Sequence, residues 1–395
     1  MASVTVAEMS RLRGAEQARR QKLLQALLSE HGLDALVLVG NDYRGHKGAL
    51  RWAADYNLPH RHGFVVVPAD KEPELVLPEN LAHAVHAQGW STPVRYHRRA
   101  AEGVLDALRG LPSVERIGFV GRAEVMRVAD HELLRAGLPG AEFVDADNAF
   151  ERIRAQKSEE ELAGVRESTA IAEQCFARLL EVAHIGATER ELAAEMYRLA
   201  YLNGGEDPLF LSMSGEQQTD GTTALRWGSP RERVLERGDQ LIFSFELIGP
   251  LGYWMELART IVFGEPTPTQ QRLNEAAAEG MRAGAAAMLP GAAPGAVQEA
   301  LLEQVESRGA SSAYWSGHGL GQDVIEEPWI GREVVDTPAE SGDWKLAERM
   351  ALALHPMVTD NETGEMAYLA NSYIVTPEGG KPVSDLSLDI EVLER

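Results

Sequence analysis

The stretch SGHGLGQDVIEEPW, residues 316–329, sets His318 between two glycines and follows it with the adjacent carboxylates Glu326 and Glu327. Where glycine stands, the backbone is bare and a ligand or metal can come close. A second histidine closes RMALALHPMV, residues 349–358. Side chains alternate across a strand, so Ala351, Ala353 and His355 share one face and Leu352 and Leu354 the other. His355 is then either a core histidine hydrogen-bonded to backbone or a ligand at a strand end. Upstream, QLIFSFELIG (240–249) and YWMELARTIVFG (253–264) flank a Pro/Gly turn at Pro250–Gly252, the pattern of a β-hairpin. The hairpin puts Ser244 and Glu246 on one face of its first strand and Trp254, Glu256 and Ala258 on one face of its second. YLANSYIVT (368–376) adds Ala370 and Asn371.

The 395 residues suffice for two domains. Up to about residue 150, helical stretches such as AEQARRQKLLQALLSEHG (15–32) alternate with short apolar runs: DALVLVG, GFVVVPA, PELVLP, RIGFVG and AEFVDA. That alternation predicts an α/β domain. Ser158 with Glu161, and Thr188 with Glu191, have capping-box spacing, so long helices are expected to begin there. Two helices and a hairpin, then two helices and further strands, suggest a duplicated unit. The domains are read as residues 1–155 and 156–395.

With 38 basic and 60 acidic side chains the formal charge is −22, which repels a nucleic-acid backbone. No run approaches the length of a membrane span, and the polar start reads as no signal peptide. The single cysteine, Cys175, forms no internal disulfide and builds no thiolate metal site; a buried, inert thiol is expected. A soluble, cytoplasmic protein with a small-molecule substrate and no membrane or nucleic-acid partner is expected.

The chain resembles the creatinase/aminopeptidase P/prolidase superfamily, the pita-bread fold. NDYRGHKGALRWAADY (41–56) resembles the N-terminal creatinase-like domain. RAQKSEEELAGVRESTAIAEQ, SPRERVLERGD, GYWMELARTIVFG, GHGLG, HPMV and NSYIVTPEG resemble successive landmarks of the C-terminal one. The resemblance implies an α/β creatinase-like N-terminal domain, an α+β pita-bread catalytic domain, and a homodimer in which each N-terminal domain covers its partner's site. Tyr43, Arg44, His60, Arg61 and His62, in loop-like stretches, are the candidates for contacts in trans.

Metallopeptidases of the superfamily bind two metals through two aspartates, a histidine and two glutamates. By resemblance those slots fall here on Ser244, Glu256, His318, His355 and Ala370. Ser244 is a poor ligand and Ala370 is none, so one metal loses its site. Glu256, His318 and His355 remain, all competent ligands of the other. Two imidazoles and a carboxylate suit iron(II), and also zinc, manganese or cobalt; one divalent ion per chain, iron(II) first, is expected. Glu256 has an alternative as the ion-pair partner of Arg259 or Arg226. Glu246 and Glu326 are the candidate catalytic carboxylates, each with a structural ion pair or a solvated surface as its alternative. Arg226, Trp227, Trp254 and Ile325 are the candidate substrate-binding residues. Trp227 or Arg226 replaces the aminopeptidase-type histidine, and Ile325 the histidine after the glycine loop. TDGTTALRWGSP (219–230) resembles the creatinase segment without its acid/base histidine.

The functional expectation is a mononuclear-metal hydrolase of a C–N or amide bond in a small polar metabolite. The alternatives are an oxygen-dependent iron(II) enzyme, a metal-free amidinohydrolase of creatinase type, and a non-catalytic binding module.

Overall fold

A computed structural model describes residues 6–81, 93–217, 223–225, 228–313, 315–331 and 343–394. The chain divides into two units, Met1–Arg154 with Gln322–Val324, and Ala155–Gly321 with Ile325–Arg395.

The first unit contains α1 (Val6–His31), β1 (Ala35–Asn41), α2 (Gly48–Ala54), β2 (His62–Pro68), β3 (Glu74–Pro78), β4 (Val94–His97), α3 (Ala100–Arg109), β5 (Arg116–Val120), α4 (Val128–Gly137) and β6 (Glu142–Asp145), and leads into α5 (Asp147–Ala155). Its sheet has the order β4-β3-β2-β1-β5-β6. The pairs β1–β5, β5–β6 and β3–β4 are parallel, and β1–β2 and β2–β3 antiparallel. This is the α/β domain that the apolar runs predict. β4 has no such run: all four of its residues are half-buried. His62, expected in a loop, begins β2, whereas Tyr43 is exposed.

The second unit begins with α6 (Glu159–Val182), α7 (Glu189–Leu202), β7 (Glu206–Gln217), β8 (Thr223–Leu225), β9 (Gln240–Ile248) and β10 (Trp254–Phe263). It continues with α8 (Pro268–Ala287), α9 (Pro294–Glu306), β11 (Ser311–Ser312), β12 (Trp315–Gly319), β13 (Glu326–Gly331), β14 (Ala351–Leu354), β15 (Met357–Thr359), β16 (Met366–Tyr368), β17 (Ala370–Thr376), β18 (Gly379–Pro382) and β19 (Glu391–Leu393). Both expected capping boxes are formed, Ser158 with Glu161 and Thr188 with Glu191, and a third, Thr267 with Gln270, starts α8. Each satisfies two amide hydrogens that a helix start otherwise leaves bare.

The large sheet runs β13-β12-β14-β17-β10-β9-β7-β8, with β18 on β17 and β19 on β10. Its two faces follow from alternation. Phe243, Phe245, Leu247, Met255 and Leu257 enter one face and pack against α6 and α7. Leu352 and Leu354 do the same against α8 and α9. Burying each such side chain contributes about 1.5–3 kcal/mol. The intervening residues, Ser244, Glu246, Glu256, Ala258, Ala353 and Ser372, therefore face the other way. Cys175 lies in the helix-covered core with its thiol pushed up to about 12 by burial, an inert group as expected.

A buried polar knot ties the start of α7 to the sheet. Glu189, fully buried, accepts from Arg231 Nη2 at 2.8 Å and from the Arg231 amide at 2.8 Å, and from the Ser214 hydroxyl. Burial pushes the Glu189 carboxyl up, but Arg231 and Ser214 more than reverse this and hold it below the ordinary range. Its contribution to stability is accordingly complete above the unfolded carboxylate range and disappears as pH falls through the lowered folded value. Glu189→Ala is expected to cost about 3 kcal/mol in urea unfolding at neutral pH, since it removes the buried carboxylate that pairs with Arg231. The difference from the unaltered protein should shrink in acid.

Candidate metal centre

The centre is built on the face of the sheet that the helices leave uncovered. Register places its residues in two rows. Glu246 stands opposite Glu256, Leu257 opposite Asn371 and Ala353 opposite both Ser372 and His318, so Glu246, Glu256, Ser372, Ala353 and His318 run across five strands. The next row holds Ser244, Ala258 and Ala370, in register across β9, β10 and β17. His355 lies one residue past the end of β14, on the face of Ala353.

Glu256 and His318 are separated by β17 and β14, about 14 Å of sheet at the spacing of strands. Only small residues, Ser372 and Ala353, lie between them. Two long side chains can therefore lean inward over this floor and meet: His318 Nε2 is 3.0 Å from Glu256 Oε1. His355 Nε2 is 3.9 Å from Glu256 Oε2. Glu256, His318 and His355 are all buried, and one ligand atom from each lies within 4.8 Å of the others. Liganding atoms that share an ion at about 2.0–2.2 Å have separations of this order.

The hydrogen bonds specify what the gap accepts. His318 Nδ1 lies 2.9 Å from the Gly319 carbonyl, which only accepts, so Nδ1 carries a hydrogen. Nε2, 3.0 Å from Glu256 Oε1, then carries a proton and donates to the carboxylate, and a divalent cation held by both groups would take that proton's place. His355 Nε2 has no hydrogen-bond partner among the described residues. Its backbone amide donates to the Ser316 carbonyl at 2.8 Å, but its ring does not behave as a satisfied core histidine. Burial pushes His355 down to about 4, opposed by Glu256, so the ring is neutral and able to ligate at neutral pH. Burial pushes His318 down and Glu256 more than reverses it, leaving it raised. Burial pushes the Glu256 carboxyl up, and the two imidazoles hold it below the ordinary range. Arg259 is not the partner of Glu256: its guanidinium donates to the carbonyls of Ala258, Ala370 and Leu386. A carboxylate and two imidazoles with one unpartnered buried nitrogen fit a divalent cation.

Rings enclose the trio. Trp329 stands edge-on to His318 at 5.5 Å, Trp315 edge-on to His355 at 4.9 Å, and Tyr368 lies 6.1 Å from His355. Tyr368 is buried and hydrogen-bonded to Ser244; burial, then the charges of Glu256 and Glu246, push its phenol well up, so it is neutral. The glycines beside His318 serve the neighbouring backbone: a Cβ on Gly317 would stand 2.2 Å from the Ala353 carbonyl, and one on Gly319 2.4 Å from that of Glu327.

The other expected site residues distribute unevenly. Glu246 is half-buried and directly opposite Glu256. Glu326 is buried and ion-paired to the equally buried Lys157, Nζ to Oε2 at 2.8 Å; its charge is still felt by His318. Trp254 is fully buried on the face of Glu256, its indole nitrogen without a partner among the described residues. Ile325 is exposed. Arg226 and Trp227 lie outside the described residues. Lys157, Trp315, Trp329 and Tyr368 were not singled out for chemistry in this arrangement. Lys157 immediately precedes the capping box of α6, and the two tryptophans bracket the glycine-rich stretch in sequence, which is the only signal they carry.

Comparison with known proteins agrees with this architecture. Residues 19–156 match the Creatinase/Prolidase N-terminal domain, and residues 163–377, more than half of the chain, match Metallopeptidase family M24. An Xaa-Pro dipeptidase of Pyrococcus furiosus is 25% identical over 325 residues, covering 81% of this chain and 86% of that protein. Among solved structures, the prolidase of Pyrococcus horikoshii superposes with a TM-score of 0.78 at 20% identity, over 93% of this chain and 98% of that one. The X-Pro aminopeptidase of Thermotoga maritima gives 0.79 at 17% identity, over 94% and 99%. At these identities the superpositions establish the pita-bread fold. With a clustered set of metal-competent ligands on that fold, the chain belongs to metallopeptidase family M24 and is a metal-dependent hydrolase.

Proposed function

We propose that the enzyme holds a single divalent ion on Glu256, His318 and His355 and hydrolyses an amide or other C–N bond in a small, peptide-like substrate. The observation that carries this reading is the convergence of Glu256, His318 and His355, with His318 Nε2 3.0 Å from Glu256 and His355 Nε2 unpartnered among the described residues. The dipeptidase relatives favour a small peptide-like substrate. A divalent ion supplies a Lewis acid there and makes a bound water acidic enough to attack at neutral pH.

The chain's own residues do the rest. Glu246, half-buried and directly opposite Glu256 on the face of the trio, is the favoured proton acceptor. The buried indole N–H of Trp254 is available to a substrate oxygen, and Arg226, Trp227 and Ile325 remain proposed contacts. Trp315 and Trp329 exclude water from the imidazoles. The donor set also suits iron(II), so oxygen chemistry is the second reading. The superfamily resemblance supports a homodimer, and the lone buried thiol suits a reducing, cytoplasmic setting.

Protein purified without chelators, or reconstituted anaerobically with iron(II) or zinc, is expected to carry about one ion per chain by elemental analysis. His355→Ala and Glu256→Gln should lose it. Two ions, or none under any loading, would overturn the reading. Release of amine from dipeptides without oxygen uptake supports hydrolysis; substrate-dependent oxygen uptake by the iron form supports the alternative.

Glu246→Gln is expected to lower turnover about 100-fold with the ion content unchanged. Lys157→Met, which strands the Glu326 carboxylate, should cost about 3–5 kcal/mol in unfolding, and Lys157→Met with Glu326→Leu should recover most of it. If that double variant folds, keeps its ion and loses turnover, the proton acceptor is Glu326 instead.

A further inference from the structure

We propose that the Ser316 hydroxyl is a further polar group of the centre, holding an oxygen atom of the substrate beside His355. The assignment rests on reading the trio as a metal site. His318 pairs with Ala353 and Gly317 with Leu354, so the next residues, Ser316 and His355, stand opposite each other. The bond from the His355 amide to the Ser316 carbonyl, 2.8 Å, fixes that pairing. Residues facing each other on antiparallel neighbours project from the same side of a sheet. The Ser316 side chain therefore lies on the face that carries the trio.

Ser316 is 0% exposed, and its Oγ has no hydrogen-bond partner among the described residues. Some buried hydroxyls elsewhere in this unit are partnered, although Thr260 Oγ1 has no partner among the described residues. Ser168 Oγ has the carbonyls of Gly164 and Tyr253 as acceptors at 2.8 and 2.7 Å for its one hydrogen. Ser372 Oγ accepts from the Glu256 amide at 3.0 Å. Ser316 and His355 Nε2 are thus two buried, unpartnered polar groups on facing residues, and such groups call for a polar occupant. A hydroxyl offers one hydrogen to donate. Next to a cation site, the group it meets is an electron-rich oxygen, the carboxylate or carbonyl oxygen of a bound substrate. Trp315, edge-on to His355 at 4.9 Å, walls this corner, so the oxygen is held away from bulk water.

Acetate serves as the probe, followed by its effect on the visible absorption of the cobalt(II)-loaded full-length protein. Ser316→Ala is expected to weaken acetate binding about 5–10-fold, the effect of one hydrogen bond, while cobalt affinity stays within about two-fold. Ser316→Thr, which keeps the hydroxyl, should restore acetate binding. If Ser316→Ala does not fold, Ser316→Cys replaces it with the same expectation. Equal acetate affinity in the variant and the unaltered protein overturns the assignment. So does a cobalt affinity that falls in step with it, which would make the hydroxyl a support for His355. No cobalt uptake by the unaltered protein overturns the metal reading itself, and this assignment with it.

Discussion

The centre depends on one geometric constraint: the floor between its ligands must be small. Glu256 on β10 and His318 on β12 are held apart by β17 and β14, and only Ser372 and Ala353 stand between them in that row. A carboxylate and an imidazole of ordinary length reach each other across about 14 Å of sheet only if nothing rises in the middle. A leucine at Ala353 would occupy the volume in which the two side chains meet. The same alternation that keeps this face small sends Leu352 and Leu354 into the core against α8 and α9. The hydrophobic packing that fixes β14 thus fixes the floor of the site, and a one-residue slip would exchange the two.

Electrostatics completes what the geometry begins. A buried carboxylate is costly unless it is paired and hydrogen-bonded, and Glu256 is surrounded by two rings rather than by a lysine or arginine. The Gly319 carbonyl fixes the hydrogen on His318 Nδ1, the arrangement in which a second partner orients a ligating imidazole and raises its basicity. Trp329 and Trp315 then hold the two rings from the edge. The outcome is a site with competent donors already turned inward, consistent with the family to which the chain belongs.

Much of this was legible in the sequence because it follows from period and spacing. The α/β alternation of the first unit, the hairpin at Pro250–Gly252, both capping boxes and the face on which His355 lies all come from alternation or from short-range hydrogen bonding. β4 was not legible, since its four half-buried residues lack an apolar run. The glycines around His318 were read as room for a ligand, whereas they make room for the carbonyls of Ala353 and Glu327. The Lys157–Glu326 pair was invisible for a different reason: its members are far apart in sequence, and no local pattern marks a long-range ion pair. The same holds for Tyr368, whose ring reaches the trio from β16, a strand outside the main sheet.

Tyr368 also shapes the row beside the trio. The row beside Glu246 and Glu256 is made of Ser244, Ala258 and Ala370, none of which offers a carboxylate. Its volume is filled with carbon: Ile242, Ala258, Ala370 and Tyr368 form one small apolar cluster, with Met357 and Met366 against it. The Tyr368 phenol bonds Ser244 and is neutral, so the nearest oxygens in that row carry no charge. The charges of Glu246 and Glu256, in the adjacent row, reach this phenol. That adjacent row offers Glu256 and, with His355, two imidazoles directed at one point. Alternation thus gives the two adjacent rows different characters: one carries Glu256 and the imidazoles, and the other is small residues packed by a tyrosine.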